Sequence, residues 1–341
     1  MRVLQVNLCR TVGGSSFHHA DLALGLKERG HQVLVADRLG DFTSDATGGA
    51  ITHWPMWRGL FHLGLWRAIR TFAPDLIHTH QSLASRVGNQ VKGGVPLVAT
   101  IHGAYKARSY GRSDAIIRVA EHQQAGMAGY AGPSMTVRNW LRPTAATPGD
   151  RHAARAEFGI ALDAILFGTV CRIVSGKGVP ELIAAFRQIP DSRARLLIVG
   201  DGKDMAKARA AAGSEGRIIF TGHRPDAQRL MQAIDVFILN SRAEAYPLAL
   251  VEAAAAGCAI VTTDTLGARE LLKGQPVTTI PVDGIAELTA AMRQALDHPP
   301  GRIQYDLSGF DRARQIDATT ALYRDVLAAR VTAETLVGAS A

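Results

Sequence analysis

Two carboxylates, Glu244 and Glu252, stand eight residues apart in the stretch Ser241-Arg242-Ala243-Glu244-Ala245-Tyr246-Pro247-Leu248-Ala249-Leu250-Val251-Glu252-Ala253. The residues before them, 235–240 (DVFILN), read as a buried strand. Pro247 suits the opening of a short Ala/Leu helix and Gly257 the position just past its end, so both boundaries have a steric reason. A second apolar strand follows at 259–263. Glu244 is therefore expected at the carboxyl end of a strand and Glu252 on the helix that leaves it. In an open α/β sheet that edge is where ligands bind. Two acids there suit the gripping of hydroxyls or of a developing positive charge. The same residues also fit a solvated loop acid and an exposed helix acid.

Other strand ends carry complementary chemistry. Leu8-Cys9-Arg10-Thr11-Val12-Gly13-Gly14-Ser15-Ser16 lies between a first strand and a helix closed by Gly30. Two glycines at a helix N-terminus let backbone N–H groups approach an anion, although a plain tight turn would look the same. The sequence is not G-x-G-x-x-G, which weakens a dinucleotide reading. Arg172 and Lys177 lie in Gly168-Thr169-Val170-Cys171-Arg172-Ile173-Val174-Ser175-Gly176-Lys177-Gly178, again between a strand and a helix. Two cations on one glycine-containing loop can grip a diphosphate together. No Ser or Thr follows Lys177, so ATPase chemistry of the P-loop kind is not expected. His78, His80 and His102 close two further strands. Three histidines at two strand ends could suggest a metal, but most such residues are hydrogen-bonded cleft or core histidines, and no metal is expected. Asp-x-Asp, the usual carboxylate site for a metal-bound nucleotide sugar, does not occur in the chain.

The elements that must position these residues alternate between short apolar strands and helical patterns from end to end, the signature of parallel sheets built from βαβ units. Strands are expected at 3–8, 32–36, 75–79, 96–101 and 115–119, then at 165–170, 195–199, 217–220, 235–239, 259–263 and 277–280. The polar stretch Arg142-Pro143-Thr144-Ala145-Ala146-Thr147-Pro148-Gly149-Asp150 is the best linker. The 341 residues suit two domains: an N-terminal one at 1–145, a C-terminal one at 146–314, and one or two tail helices, about 315–341, packing back on the first. Two such domains facing each other would leave a central cleft for a ligand.

The bulk properties set limits. Hydrophobic content of 47% and aromatic content of 6% are ordinary for a soluble α/β protein. No apolar run approaches the length of a membrane span, and the first residues read directly as a strand. Three unpaired-looking cysteines, Cys9, Cys171 and Cys258, argue for a reducing, cytoplasmic setting. A net charge of +8 asks for an anionic partner. Nucleic acid is the weakest such partner because no recognition motif accompanies the charge. Trp54, Trp57 and Trp66 lie with Arg58, Arg67 and Arg70 in one segment. That segment suits either peripheral contact with an anionic membrane or a helix packed on its own domain.

Taken together, these pieces resemble the retaining GT-B glycosyltransferases, particularly glycosyltransferase family 4. The resemblance runs over nearly the whole chain. In the second half it rests on Arg172 with Lys177-Gly178, Leu197-Ile198-Val199-Gly200-Asp201-Gly202, Phe220-Thr221-Gly222, Asp235-Val236-Phe237-Ile238, and the Glu244/Glu252 pair followed by Gly257. In the first half it rests on Gly13-Gly14, Gly30-His31, Pro74-Asp75-Leu76-Ile77-His78 with His80, and Thr100 with His102-Gly103. The resemblance implies two Rossmann-like doubly wound domains and transfer of a hexose-type sugar from a UDP- or GDP-sugar. The acceptor it implies is a saccharide or a lipid-linked molecule, in envelope polysaccharide, lipopolysaccharide or glycolipid synthesis. No cofactor or metal is implied.

Carried onto this chain, Arg172 and Lys177 would neutralise the leaving diphosphate, and Gly13 and Gly14 would present backbone to it. Backbone around Tyr246, Pro247 and Leu248 would add to phosphate binding. Glu252 would hold the ribose, Glu244 would lie beside the donor sugar, and His102 would contact that sugar from the other domain. Two departures stand out: Ala245 where the family usually has Gly, and Asn139-Trp140-Leu141-Arg142 where it often has an Asn-Gly-x-Asp turn. A sugar-nucleotide epimerase, a phosphorylase of the same architecture and a non-catalytic nucleotide-sugar binder are the alternatives.

Overall fold

Parallel strands covered on both faces must be apolar along their whole length, and the short Val/Ile/Leu runs of this chain meet that demand. In the computed structural model, which describes residues 1–38 and 40–338, they form two separate sheets. The first contains β1 (Arg2–Asn7), β2 (Gln32–Asp37), β3 (Thr52–Pro55), β4 (Leu76–His80), β5 (Leu97–Ile101), β6 (Ala115–Arg118) and β7 (Ser134–Thr136), in the order β3-β2-β1-β4-β5-β6-β7. The second contains β8 (Ile165–Val170), β9 (Ala194–Val199), β10 (Ile218–Gly222), β11 (Val236–Leu239), β12 (Ala259–Thr263) and β13 (Thr278–Ile280), in the order β10-β9-β8-β11-β12-β13. Neighbouring strands run parallel in both sheets. The order reverses between β1 and β4 in the first sheet and between β8 and β11 in the second. In open α/β sheets such a reversal is where ligands bind, at the carboxyl edge.

The chain divides into two compact units, one of residues 1–140 with the segment from Phe310 onward and one of Leu141–Gly309. Two edge strands, β3 and β7, were not expected. β3 reads Thr-His-Trp-Pro and β7 is three residues long, so neither carries an apolar alternation that marks it. Edge strands can tolerate such sequences because one side needs no partner.

The tail forms one helix, Arg312–Gly338. Its Ile316 and Tyr323 are fully buried with Val3, Leu22, Leu26 and Val98 of the first unit. Gly25 makes this approach possible, since a Cβ there would lie 2.2 Å from Cδ1 of Ile316. Arg312 then bridges Asp21 at 2.9 Å and Glu28 at 2.7 Å, and the indole N–H of Trp140 also donates to Asp21.

In the second unit the fully buried Arg155 donates to the carbonyls of Ala161, Leu162, Ala164 and Ala233 and pairs with Asp235. Asp235 also pairs with Arg151 at 2.5 Å and accepts the backbone N–H of Leu166 at 2.8 Å. This network ties the helix Asp150–Glu157 to the amino ends of β8 and β11. Removing Arg155 leaves Asp235 with Arg151 as its remaining ion-pair partner and strips four carbonyls of a donor, a loss of about 3–5 kcal/mol. Arg155→Ala should therefore lower the unfolding free energy of the second unit, read from denaturant titration, by that amount, and a change below about 1 kcal/mol would contradict the assignment.

Candidate functional site

The residues at the β8/β11 reversal are held by glycines that let two loops touch. Gly200, with φ +135, lies so close to the loop after β8 that a Cβ would sit 1.9 Å from the Cys171 carbonyl oxygen. At Gly202 a Cβ would sit 2.2 Å from the Ile173 carbonyl oxygen. Backbone bonds from Cys171 to Val199 (3.0 Å) and from Ile173 to Asp201 (2.8 Å) complete the contact. These constraints fix the backbone on either side of Arg172, whose side chain is exposed.

Gly178 plays the same part further along. Its φ is +60, a Cβ there would lie 2.2 Å from the Asn240 carbonyl oxygen, and the Asn240 amide donates to the Gly178 carbonyl at 2.9 Å. The Lys177 turn is thereby pressed against the segment that leaves β11. Arg242 reinforces it with a backbone bond to Gly176 (2.9 Å) and ion pairs to Glu181 (2.8 Å) and Asp283 (2.9 Å). The outcome is a direct ion pair between Lys177 Nζ and Glu244 Oε1. Glu244 is backed in turn by Gly267, where a Cβ would lie 2.5 Å from the Glu244 carbonyl oxygen. Ala245 takes no left-handed backbone, so its methyl group costs no strain.

Tyr246 and Pro247 are buried, and the helix Leu248–Ala255 starts directly after them. Glu252, on that helix, accepts at Oε1 from Arg142 Nη2 (2.6 Å), Arg142 Nε (3.2 Å) and Gln228 Nε2 (3.0 Å). Sequence reasoning treated Arg142 as linker and did not notice Gln228. Nothing in their spacing links either to Glu252, because the contact spans 110 residues in one case and 24 in the other.

In the first unit, β1 leads through Gly13 to the helix Gly14–Glu28. That helix carries His18 and His19 under the sheet edge, beside His78 and His80 of β4 and His102 just after β5. His80 Nδ1 lies 3.1 Å from His102 Nε2. His78 is spanned by Tyr323 Oη at 2.5 Å and Thr100 Oγ1 at 2.7 Å. His19 faces Asp37, which also binds His53 at 2.8 Å. Gln81, directly after His80, has φ +70 and donates to Ser15 Oγ at 2.5 Å, so a left-handed residue ties the end of β4 to the glycine turn. The sequence pointed to His78, His80 and His102 but not to His18 and His19, whose only signal was a polar His-His pair on a helix that had to be buried.

Burial dominates the ionisation of this cluster. It lowers His78 and His102 to about 3, helped by neighbouring histidines, and lowers His19 to about 4 against the attraction of Asp37. His18 and His80 are lowered well below the usual imidazole value for the same reason. All five imidazoles are thus neutral at pH 7. An unfolded chain would take up these protons near pH 6.5, so the unfolded state binds more protons and stability rises with pH there. The first unit should lose up to about 1.4 kcal/mol per pH unit for each such histidine as pH falls from about 6.5 toward 4. A unit whose denaturant midpoint stays flat between pH 6.5 and 4.5 would contradict this.

Comparisons with known proteins follow the same division. Residues 12–151 match the family described as Glycosyltransferase Family 4, and residues 164–298 match Glycosyl transferases group 1. The chain is 28% identical over 224 residues to the putative teichuronic acid biosynthesis glycosyltransferase TuaC of Bacillus subtilis, covering 59% of this chain and 56% of that protein. It therefore spans little more than half the length of that relative. It is 24% identical over 327 residues to the lipopolysaccharide core biosynthesis glycosyltransferase LpsD of Rhizobium meliloti, covering 92% and 93%. The structure of Anabaena HepE in complex with UDP and glucose superposes with a TM-score of 0.74 at 22% identity over 99% of this chain and 100% of that one. A glycosyltransferase of Rickettsia africae gives 0.79 at 16% identity over 96% and 98%. The fold is that of the GT-B glycosyltransferases, and the chain belongs to the family 4, group 1 glycosyltransferases.

Proposed function

We propose that the chain is a retaining, metal-independent glycosyltransferase that moves a hexose from a UDP- or GDP-sugar to a saccharide or lipid-linked acceptor. The relatives named for teichuronic acid and lipopolysaccharide core synthesis support an envelope product of this kind. The observation that carries the reading is the Lys177–Glu244 pair at the β8/β11 reversal, with Arg172 on the same loop.

Breaking a glycosyl phosphate bond builds negative charge on the diphosphate and positive charge on the sugar. Lys177 and Arg172 neutralise the first as it forms, and because their loop is already locked they need little reorganisation to do so. The N-terminus of the helix Leu248–Ala255, after Tyr246 and Pro247, adds its backbone N–H groups to the same phosphates. Gly13 and Gly14 present backbone from the N-terminal domain. Glu244, released from Lys177 as the phosphates arrive, turns its charge to the donor sugar. Glu252 holds the ribose hydroxyls, sharing its carboxylate with Arg142 and Gln228. His102, neutral at working pH, bonds a sugar hydroxyl without adding a charge that would oppose the cationic transition state.

A donor panel tests this. UDP- or GDP-sugars should raise the thermal midpoint of the wild type, and Glu252→Ala should lose most of that shift. Lys177→Ala should lower transfer, or slow donor hydrolysis, by about 10²–10³-fold. Glu244→Ala should lower transfer while the free nucleotide still stabilises the protein. Failure of every nucleotide to stabilise would sink the reading, and binding with neither transfer nor hydrolysis would favour an inert binder.

A second element concerns the acceptor. No described helix is long and apolar enough to cross a membrane. Trp57 and Trp66 are 70% and 49% exposed, with Leu60 at 55% and Leu63 at 44%, and Arg58, Arg67 and Arg70 are exposed beside them. Trp54 packs on the core instead and drops out of this surface. Such a patch suits the interface of an anionic bilayer and a lipid-linked acceptor presented at the cytoplasmic face. The wild type should sediment with phosphatidylglycerol vesicles and be released by salt, and a Trp57→Ala/Trp66→Ala double variant should bind much less. Sedimentation unchanged by these substitutions would remove the patch from the proposal.

A further inference from the structure

The donor chemistry above leaves unexplained why three imidazoles converge at the carboxyl edge of the first sheet. One ligand nitrogen from each of His18, His80 and His102 lies within 4.8 Å of the other two. They come from three separate elements: the helix after β1, the end of β4, and the residue after β5. Such convergence does not arise from sequence periodicity. The tightest pair, His80 Nδ1 and His102 Nε2, is 3.1 Å apart. Two nitrogens at about 2.0–2.1 Å from a tetrahedral zinc lie roughly 3.3 Å apart, so this one pair is close to a coordination edge, while the His18 nitrogen is held within 4.8 Å of it.

The triad is short of hydrogen-bond partners beyond the His80–His102 contact. His80 is fully buried, yet its Nε2 meets no hydrogen-bond partner, which leaves the ring under-satisfied. The cluster contains no carboxylate, so a hard cation such as Mg²⁺ or Ca²⁺ finds no suitable donors, whereas imidazole suits Zn²⁺, Co²⁺ and Ni²⁺. His102 is only half-buried, which leaves a path for the ion. His18 packs against Trp140 with ring centroids 4.2 Å apart and planes tilted by 40°, which holds its orientation.

We propose that His18, His80 and His102 form a three-imidazole site for a divalent transition metal of the zinc class, with a fourth position open to water. Its occupation withdraws His102 from the sugar, so the ion acts as an inhibitor of transfer and not as its cofactor. That consequence rests on the role given to His102 above; the binding itself does not.

Titration of the full chain with Co²⁺ at pH 7.5 tests the site without reference to activity. One equivalent should produce the visible absorption of a low-coordinate cobalt centre, and Zn²⁺ should abolish it. His18→Ala and His102→Ala should each weaken binding at least about tenfold, as expected when a metal ligand is lost. His298→Ala, an exposed histidine of the other unit, should leave binding unchanged. Because substitution near a buried cluster can unfold the domain, zinc should also raise the thermal midpoint of the wild type. Absence of the cobalt band, its persistence in His102→Ala, or a zinc-insensitive midpoint each overturns the site. A wild type that binds zinc but transfers sugar unimpaired would overturn the inhibitory role alone. Failure of nucleotide sugars to bind would instead strike the donor reading and leave the metal result standing.

Discussion

The candidate donor chemistry depends on how closely backbone can approach backbone at the β8/β11 reversal. Gly200, Gly202, Gly178 and Gly267 each occupy a position where a single added carbon would sit within 2.5 Å of a carbonyl oxygen. Those contacts press the loop after β8 onto the loops after β9 and β11. Only in that arrangement do Lys177 and Glu244 meet, although 67 residues separate them. Two flexible surface residues could form such a pair only at a considerable entropic cost. Here the backbone has been fixed in advance by packing, so the side chains give up little further freedom on pairing. The same pre-set geometry is what an electrostatic site needs, because charges that must reorganise during a reaction stabilise its transition state poorly.

The two units spend buried polarity differently. In the second unit Arg155 and Asp235 are charged and buried, and every face of the guanidinium is matched by a carbonyl or a carboxylate. This fastens an entry helix to a strand end, remote in the fold from the carboxyl edge. In the first unit the buried polarity is imidazole, kept neutral by burial and by its neighbours. Neutral rings cost less to bury than charges, and each keeps one donor and one acceptor available. The carboxyl edge of the first sheet is thus lined mainly by neutral imidazoles, with the Asp37 carboxylate at the end of β2 beside His19 and His53 and a strained Gln81 that pins the end of β4. The edge of the second sheet carries cations as well as carboxylates, Lys177 and Glu244 among them.

Much of the architecture was legible because parallel strands buried on both faces leave a strong apolar signal. All six strands of the second sheet lie where the apolar runs indicated, within a residue or two at their ends. In the first sheet the central strands were equally clear. β3 and β7 were not, since an edge strand can be three or four residues long and contain Pro, His or Thr. The tail showed helical spacing but not that it forms one continuous helix, nor that Gly25 opens the groove receiving Ile316. The aromatic segment was misread in one respect. Trp54 falls on β3 and turns toward the core, whereas Trp57 and Trp66 remain outside.

The sequence by itself determined the local facts: which residues form strands, where helices start and stop, and that Arg172, Lys177, Glu244, Glu252, His80 and His102 follow or end particular strands. These depend on side-chain size, backbone freedom and periodicity, all of which act over a few residues. Tertiary structure decided the pairings. Lys177 met Glu244, Arg142 and Gln228 met Glu252, Tyr323 met His78, and His18 joined His80 and His102. Each depends on strand order and on helices packing across a sheet, which bring together residues tens to hundreds of positions apart. No local pattern encodes that distance, because it is set by the sum of the whole core's packing rather than by the residues that meet.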